Sequence, residues 1–137
     1  MTTTIKVQDN SLQVDVSKTE EFYLTQHHIT EDCACDDCEF YSTEFIKQPL
    51  EIFGLILKMG VDLGKNLKSE PSGVWCIREA DGNFTYSQQV YQTFGHILPI
   101  DTSQIKYEKT EKGFNINALF SQTKDETIDI VLTIGKR

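Results

Sequence analysis

Near the C-terminus, Ile128, Ile130, Leu132 and Ile134 alternate with Asp129 and Thr133. A period of two sends successive side chains to opposite faces, so this stretch has to be a strand with one buried face. Val131 places an apolar side chain on the other face as well. The same alternation marks Ile5-Lys6-Val7 and Leu12-Gln13-Val14-Asp15-Val16, with Asn10-Ser11 as the turn between them. Phe22-Tyr23-Leu24 reads as a third short strand or as the end of that ribbon. Residues 74–78 and 84–94 flank Ala80-Asp81-Gly82-Asn83, whose Asp-Gly pair suits a tight hairpin, and Gly95 ends the second of them. Residues 105–109 and 114–120 flank Glu111-Lys112-Gly113 as another hairpin.

One segment has a helical period instead. Leu50, Phe53, Ile56 and Leu57 recur at spacings of three and four, and Ile52, Leu55 and Met59 widen the stripe nearly all round. Pro49 suits the first helical position and Gly60 the left-handed residue after the end. A shorter helical turn is expected at residues 42–47. Residues 61–73, punctuated by Gly64, Asn66, Pro71 and Gly73, read as a connecting loop. The pattern predicts an α+β fold, a mostly antiparallel sheet of about six to eight strands with one main buried helix packed on one face. At 137 residues, 39% of them hydrophobic, the chain has the length of a single domain and enough apolar surface for a core.

Thirteen basic side chains stand against 21 acidic ones, a net charge of −8, and the excess is local. Residues 18–44 hold Lys18 against Glu20, Glu21, Glu31, Asp32, Asp36, Asp37, Glu39 and Glu44, whereas residues 45–137 balance. An anionic chain repels phosphate backbones and acidic lipids, so neither nucleic acid nor a membrane surface is an expected partner. No apolar run is long enough to span a bilayer; the densest, residues 50–57, is interrupted by Glu51 and Gly54. The N-terminal residues MTTTIKVQDNSLQVDV lack the basic and apolar regions of a signal peptide, and a cytoplasmic location is expected. The acidic segment reads as a solvated loop or as a surface that captures a basic protein by electrostatic steering. In the second case Glu31, Asp32, Asp36, Asp37 and Glu39 are the candidate contact residues.

The same segment holds Cys33, Cys35 and Cys38, with His27 and His28 just upstream. Cys35-x-x-Cys38 has the spacing of a zinc knuckle, and zinc favours thiolate and imidazole in a tetrahedral set. A second C-x-x-C or an H-x-H pair downstream is missing, so closing the site needs Cys33, Cys76, His27 or His28. Three other readings stay open: a redox dithiol, a disulfide, and buried small hydrophobes. The surrounding carboxylates oppose a reactive thiolate, because like charge raises a thiol pKa, yet they favour a bound dication. A catalytic zinc is not expected, since neither an H-x-E before the C-x-x-C nor an H-E-x-x-H is present.

Other catalytic signatures are missing too: there is no G-x-S-x-G, no G-x-x-x-x-G-K-[ST] and no G-x-G-x-x-G. His96, beside Gly95, fits a general base or a satisfied structural residue. Tyr86, Tyr91 and Tyr107 with Trp75 fit a pocket lining or a sheet face packed on the helix. Gln88, Gln89 and Gln92 give their strand a polar face turned to solvent or to a partner.

The run Asp32 to Tyr41 (DCACDDCEFY), the helix between Pro49 and Gly60, Val74-Trp75 and Asp81-Gly82…Tyr86…Tyr91…Gly95 together resemble a group of small bacterial proteins. That group shares a C-D-D-C-x-x-Y opening, a helix and a D-G-x-x-x-Y strand, and is associated with immunity proteins of toxin systems. The resemblance spans residues 32–96 and carries over Cys35, Asp36, Asp37, Cys38 and Tyr41; Cys33 and the Gln-rich strand depart from it. It implies an immunity-like, non-catalytic protein-binding role. The expected function is therefore capture of a basic protein by an acidic surface, with a small metalloprotein holding structural zinc as the alternative.

Overall fold

The alternating C-terminal segment becomes the middle of a sheet. The computed structural model describes residues 2–32, 36–65, 75–78 and 84–136, with side chains at all of these except residues 32, 37, 75–78, 84 and 85. The strands are β1 (Thr3–Val7), β2 (Asn10–Val14), β3 (Trp75–Arg78), β4 (Phe84–Leu98), β5 (Gln104–Glu111), β6 (Phe114–Gln122) and β7 (Thr127–Lys136). They form one sheet in the order β1-β2-β4-β7-β6-β5, with β3 also paired to β4, and every pairing is antiparallel. Cross-strand rows run straight through it. Tyr91, Ile130, Phe120 and Ile105 lie side by side on β4, β7, β6 and β5, and all are buried.

The buried face is covered by α1 (Val16–Leu24), α2 (Ile29–Asp32), α3 (Asp36–Thr43), a 3-10 turn (Phe45–Lys47) and α4 (Glu51–Lys58). The expected α+β architecture with an antiparallel sheet is thus present, and its helical part is larger than expected. Ile52, Phe53 and Ile56 from α4, Met59 just past its end, Tyr41 from α3 and Tyr23 from α1 join the core rows of the sheet. Phe45 meets Phe53 edge to face with ring centroids 5.7 Å apart.

Several local readings need correction. Phe22-Tyr23-Leu24 ends a helix rather than forming a strand, because Asp15 caps it: its carboxylate accepts from the Lys18 amide at 3.0 Å. Thr19 and Tyr23, one turn apart, are the residues this helix buries. The cysteine segment is largely helical rather than a loop, in α2 and α3. The β1–β2 turn falls at Gln8-Asp9 rather than Asn10-Ser11. β4 does not stop at Gly95 but continues to Leu98 and pairs there with β2. Gln89 points into the core, opposite Gln88 and Gln92, so the three glutamines do not share a face. α4 begins after Pro49, at Glu51, and is amphipathic, with Gly54, Leu57 and Lys58 exposed. Gly60 does follow its end with φ +91, and Lys112-Gly113 turns the second hairpin with both φ positive. The Asp81-Gly82 turn and residues 66–74 lie outside the described residues.

Side chains complete the sheet where strands run out. Between its β3 and β2 partners, β4 has a length of edge that no strand among the described residues covers, and α1 supplies partners there. Asp15 donates its amide to the Phe94 carbonyl at 2.8 Å, Thr19 Oγ1 accepts from the Phe94 amide at 3.0 Å, and the Tyr23 hydroxyl accepts from the Gln92 amide at 2.9 Å. On the opposite edge, beyond the end of β7, the Gln122 carboxamide accepts from the Ile97 amide at 2.8 Å and donates to the Gly95 carbonyl at 3.1 Å. At the rim, the Gln8 side chain at the tip of the β1–β2 hairpin reaches β5, the far strand of the sheet, so the sheet curls until its two ends meet.

Candidate functional site

The helical layer carries most of the charge imbalance. Between Val16 and Lys65 ten carboxylates stand against four lysines. Glu20, Glu21, Glu31, Asp36, Glu39 and Glu44 are all exposed, and none has an ion-pair partner among the described residues. The described ion pairs use other carboxylates, Glu51 at the start of α4 and Glu111, both with Lys109.

The candidate contact and ligand residues fall as follows. Glu31 lies on α2, where its carboxylate accepts from the His28 amide at 3.1 Å and so caps the turn that opens the helix. Asp36 and Glu39 lie on α3 and face solvent. Asp32 and Asp37 fall on α2 and α3 by backbone. Cys33 and Cys35 lie outside the described residues. Cys38 is buried in the core on α3. α3 packs on β3, which carries Cys76 paired in register with Ser87 of β4. His27 is exposed.

His28 is tied into the scaffold. Its Nδ1 accepts from the Thr30 amide at 3.2 Å and lies 2.7 Å from the Thr30 hydroxyl, which leaves the ring proton on Nε2. Nε2 faces Gly64 so closely that a Cβ there would sit 3.1 Å away. The His28 backbone also bridges to Lys65, whose ammonium donates to the Gln26 carbonyl at 3.1 Å. Among the described residues no group of three His, Cys, Asp or Glu side chains converges as a metal centre requires.

Two concavities open on this side. One, of about 320 Å³, is lined by His28, Thr30, Glu39, Ser42 and Thr43. The Ser42 hydroxyl is buried there without a hydrogen-bond partner among the described residues. The other, of about 430 Å³, lies between the C-terminal ends of α1 and α4. Its walls include Leu24 and Leu57, 79% and 54% exposed, and its rim includes Glu20 and Asp62. Sequence reasoning missed this groove, because it took Leu24 for a strand residue and Leu57 for a core residue.

Two of the candidate aromatic residues, Tyr91 and Tyr107, belong to the core, Tyr86 is half-buried, and the Trp75 side chain lies outside the described ones. Tyr91 and Tyr107 are buried, and the Tyr91 hydroxyl meets that of Tyr41, which in turn donates to the Leu63 carbonyl at 3.1 Å. Burial pushes the Tyr23 hydroxyl well above the usual phenol range, so it stays protonated where it accepts from β4. His96 is half-buried with Nε2 3.6 Å from a Glu126 carboxylate oxygen. Among the described residues no helix is long and apolar enough to cross a membrane. Comparison with protein-family models, with curated proteins and with solved structures found no match.

Proposed function

We propose that this protein is a non-catalytic binding module whose acidic helical side captures a basic protein partner and masks it, as an immunity protein does. The observation that carries this reading is the set of exposed carboxylates Glu20, Glu21, Glu31, Asp36, Glu39 and Glu44, which have no ion-pair partners among the described residues. Charges left unpaired on one side raise the local potential, speed encounter with a cationic surface and reject anionic ones. The helices that hold them are anchored to the sheet, so the charge pattern is presented in a fixed shape.

The test is a titration with an amphipathic helical peptide of leucine and lysine, alongside a counterpart whose lysines are replaced by glutamine. The reading expects the cationic peptide to bind, and its affinity to fall as salt rises. It also expects a loss of affinity on triple charge reversal, Glu31→Lys with Asp36→Lys and Glu39→Lys. Equal affinity for the two peptides at low salt overturns it.

A further inference from the structure

We propose that the groove between the ends of α1 and α4 is the docking seat of one amphipathic helix of the partner, with an apolar ridge flanked by Lys or Arg. This rests on the acidic-surface reading above and says where and how the partner sits.

Apolar exposure makes the seat. Leu24, at 79%, is the most exposed of the described large hydrophobic side chains, and Leu57, which also lines the groove, is exposed by more than half. Tyr23 and Val61 continue the lining inward as buried residues. Gly60 holds the two walls close: a Cβ there would lie 2.5 Å from the Val16 carbonyl oxygen, so α1 and the end of α4 approach as only glycine allows. Two exposed leucines lining one cleft of about 430 Å³ leave room for apolar side chains to enter beside them.

Charge selects the cation. Glu20 and Asp62 line the groove without ion-pair partners among the described residues. Both walls are helix C-terminal ends, since α1 ends at Leu24 and α4 at Lys58, and the carbonyl end of a helix carries partial negative charge. Carboxylates and helix ends thus add in one place. Two cations oppose this field: Lys58, exposed at the end of α4, and Lys65, whose ammonium donates to the Gln26 carbonyl just past the end of α1.

Backbone accounting selects a helix. The Thr25, Gln26 and Gly60 amides at the groove already donate to the Phe22, Tyr23 and Leu57 carbonyls. An extended peptide needs a strand edge to satisfy its main chain, and these walls offer none. A helical segment arrives with its main chain already paired and offers only side chains.

The leucine–lysine helical peptide is the probe, read by fluorescence anisotropy against the whole chain. The double variant Leu24→Gln with Leu57→Gln is expected to lose about tenfold or more in affinity, from the apolar burial forfeited. Both positions are exposed, and an unchanged melting temperature shows that the fold survives. Glu20→Gln with Asp62→Asn is expected to flatten the salt dependence, and Lys58→Glu to tighten binding. If the groove variants bind as well as the parent while charge reversal on α2 and α3 abolishes binding, the groove assignment is overturned and the acidic-surface reading stands. If the parent chain does not distinguish the peptide from its glutamine counterpart, both fall. If the parent chain self-associates and Leu24→Gln abolishes that, the occupant is a second copy of this chain and the basic helix is wrong.

Discussion

The carboxamide of Gln8 grips the backbone of Glu108 at both ends: its Nε2 donates to the Glu108 carbonyl at 2.7 Å, and its Oε1 accepts from the Glu108 amide at 3.4 Å. A single side chain thereby acts as one rung of a ladder between the hairpin tip and β5. Gln8 makes this reach from a left-handed backbone, φ +55, which a non-glycine residue adopts at a cost of about 1 kcal/mol. Gln8→Ala keeps that cost and loses both bonds, so it should lower stability by about 1–2 kcal/mol in urea unfolding. Gln8→Gly loses the same bonds but sheds the strain, and should unfold at higher urea than Gln8→Ala. The opposite order would refute the strain, whereas a Gln8→Ala variant as stable as the parent would show that the seam contributes nothing.

Thr19 is fully buried where it bonds the edge of β4. Its hydroxyl also reaches the Asp15 carbonyl and Thr93 Oγ1, and Thr93 in turn reaches the Met59 carbonyl. Thr19→Val preserves shape and strands the Phe94 amide, for a loss of about 2–3 kcal/mol. Tyr23→Phe strands the Gln92 amide in the same way, with a smaller effect of about 1–2 kcal/mol. Calorimetric unfolding of both variants checks the pair; melting curves that overlay the parent would refute the edge-capping account.

Gly95 passes so close to β2 that a Cβ would sit 2.1 Å from the Gln13 carbonyl oxygen. The obstacle is backbone on both sides, so nothing flexible can yield. Gly95→Ala is expected to cost about 3 kcal/mol or more, with β2 displaced from β4. Backbone amide shifts at Gln13 and Val14 would register that displacement.

The Glu51 carboxylate at the start of α4 accepts from Lys109 Nζ at 2.6 Å and from the Tyr107 hydroxyl at 3.2 Å. The Lys109 bond chiefly holds the Glu51 carboxyl below its ordinary value of 4.5, and the same contact raises Lys109 above 10.5. A depressed carboxyl stabilises the fold above its unfolded value and loses that contribution as pH falls through the folded one. A raised ammonium stabilises below its unfolded value and loses its contribution at high pH. The parent should therefore exceed Glu51→Gln in melting temperature at neutral pH, by a small margin because the pair is exposed. The margin should close in acid below the carboxyl range and again in strong alkali. A constant difference across pH would argue that the ion pair is not its source.

Ser42 Oγ is buried without a hydrogen-bond partner among the described residues. Ser42→Ala removes an unsatisfied group and adds a better helix former, so stability should hold or rise by about 0.5–1 kcal/mol. A clear loss of stability would reveal a bond to that hydroxyl.

The sheet was legible because each of its cues is local. Alternation at 128–134 and the Lys112-Gly113 turn are decided by neighbours in sequence, and the strands follow from them. The helices around the cysteines were hidden for a physical reason. α3 is short and nearly as polar on its inner side as on its outer, and what holds it is Tyr41 and Cys38 packed into a core built by distant strands. α1 looked like a strand because Phe22-Tyr23-Leu24 has strand composition, while the deciding signal was the Asp15 cap at the other end. The acidic character of the candidate surface was plain from composition. The groove was not, because whether Leu57 is core or surface depends on which way α4 rolls against the sheet, and no residue on α4 alone decides that.

The stitching of α1 to β4 has one more consequence. Since Thr19 and Tyr23 occupy the amides of Phe94 and Gln92, the helix cannot lift from the sheet without releasing both of those protons to solvent. Their hydrogen-exchange rates are thus a gauge of how often α1 detaches. A molecule resting on the outer side of α1 would slow that exchange in the middle of a strand it never touches, so occupancy of the helix can be followed from within the sheet.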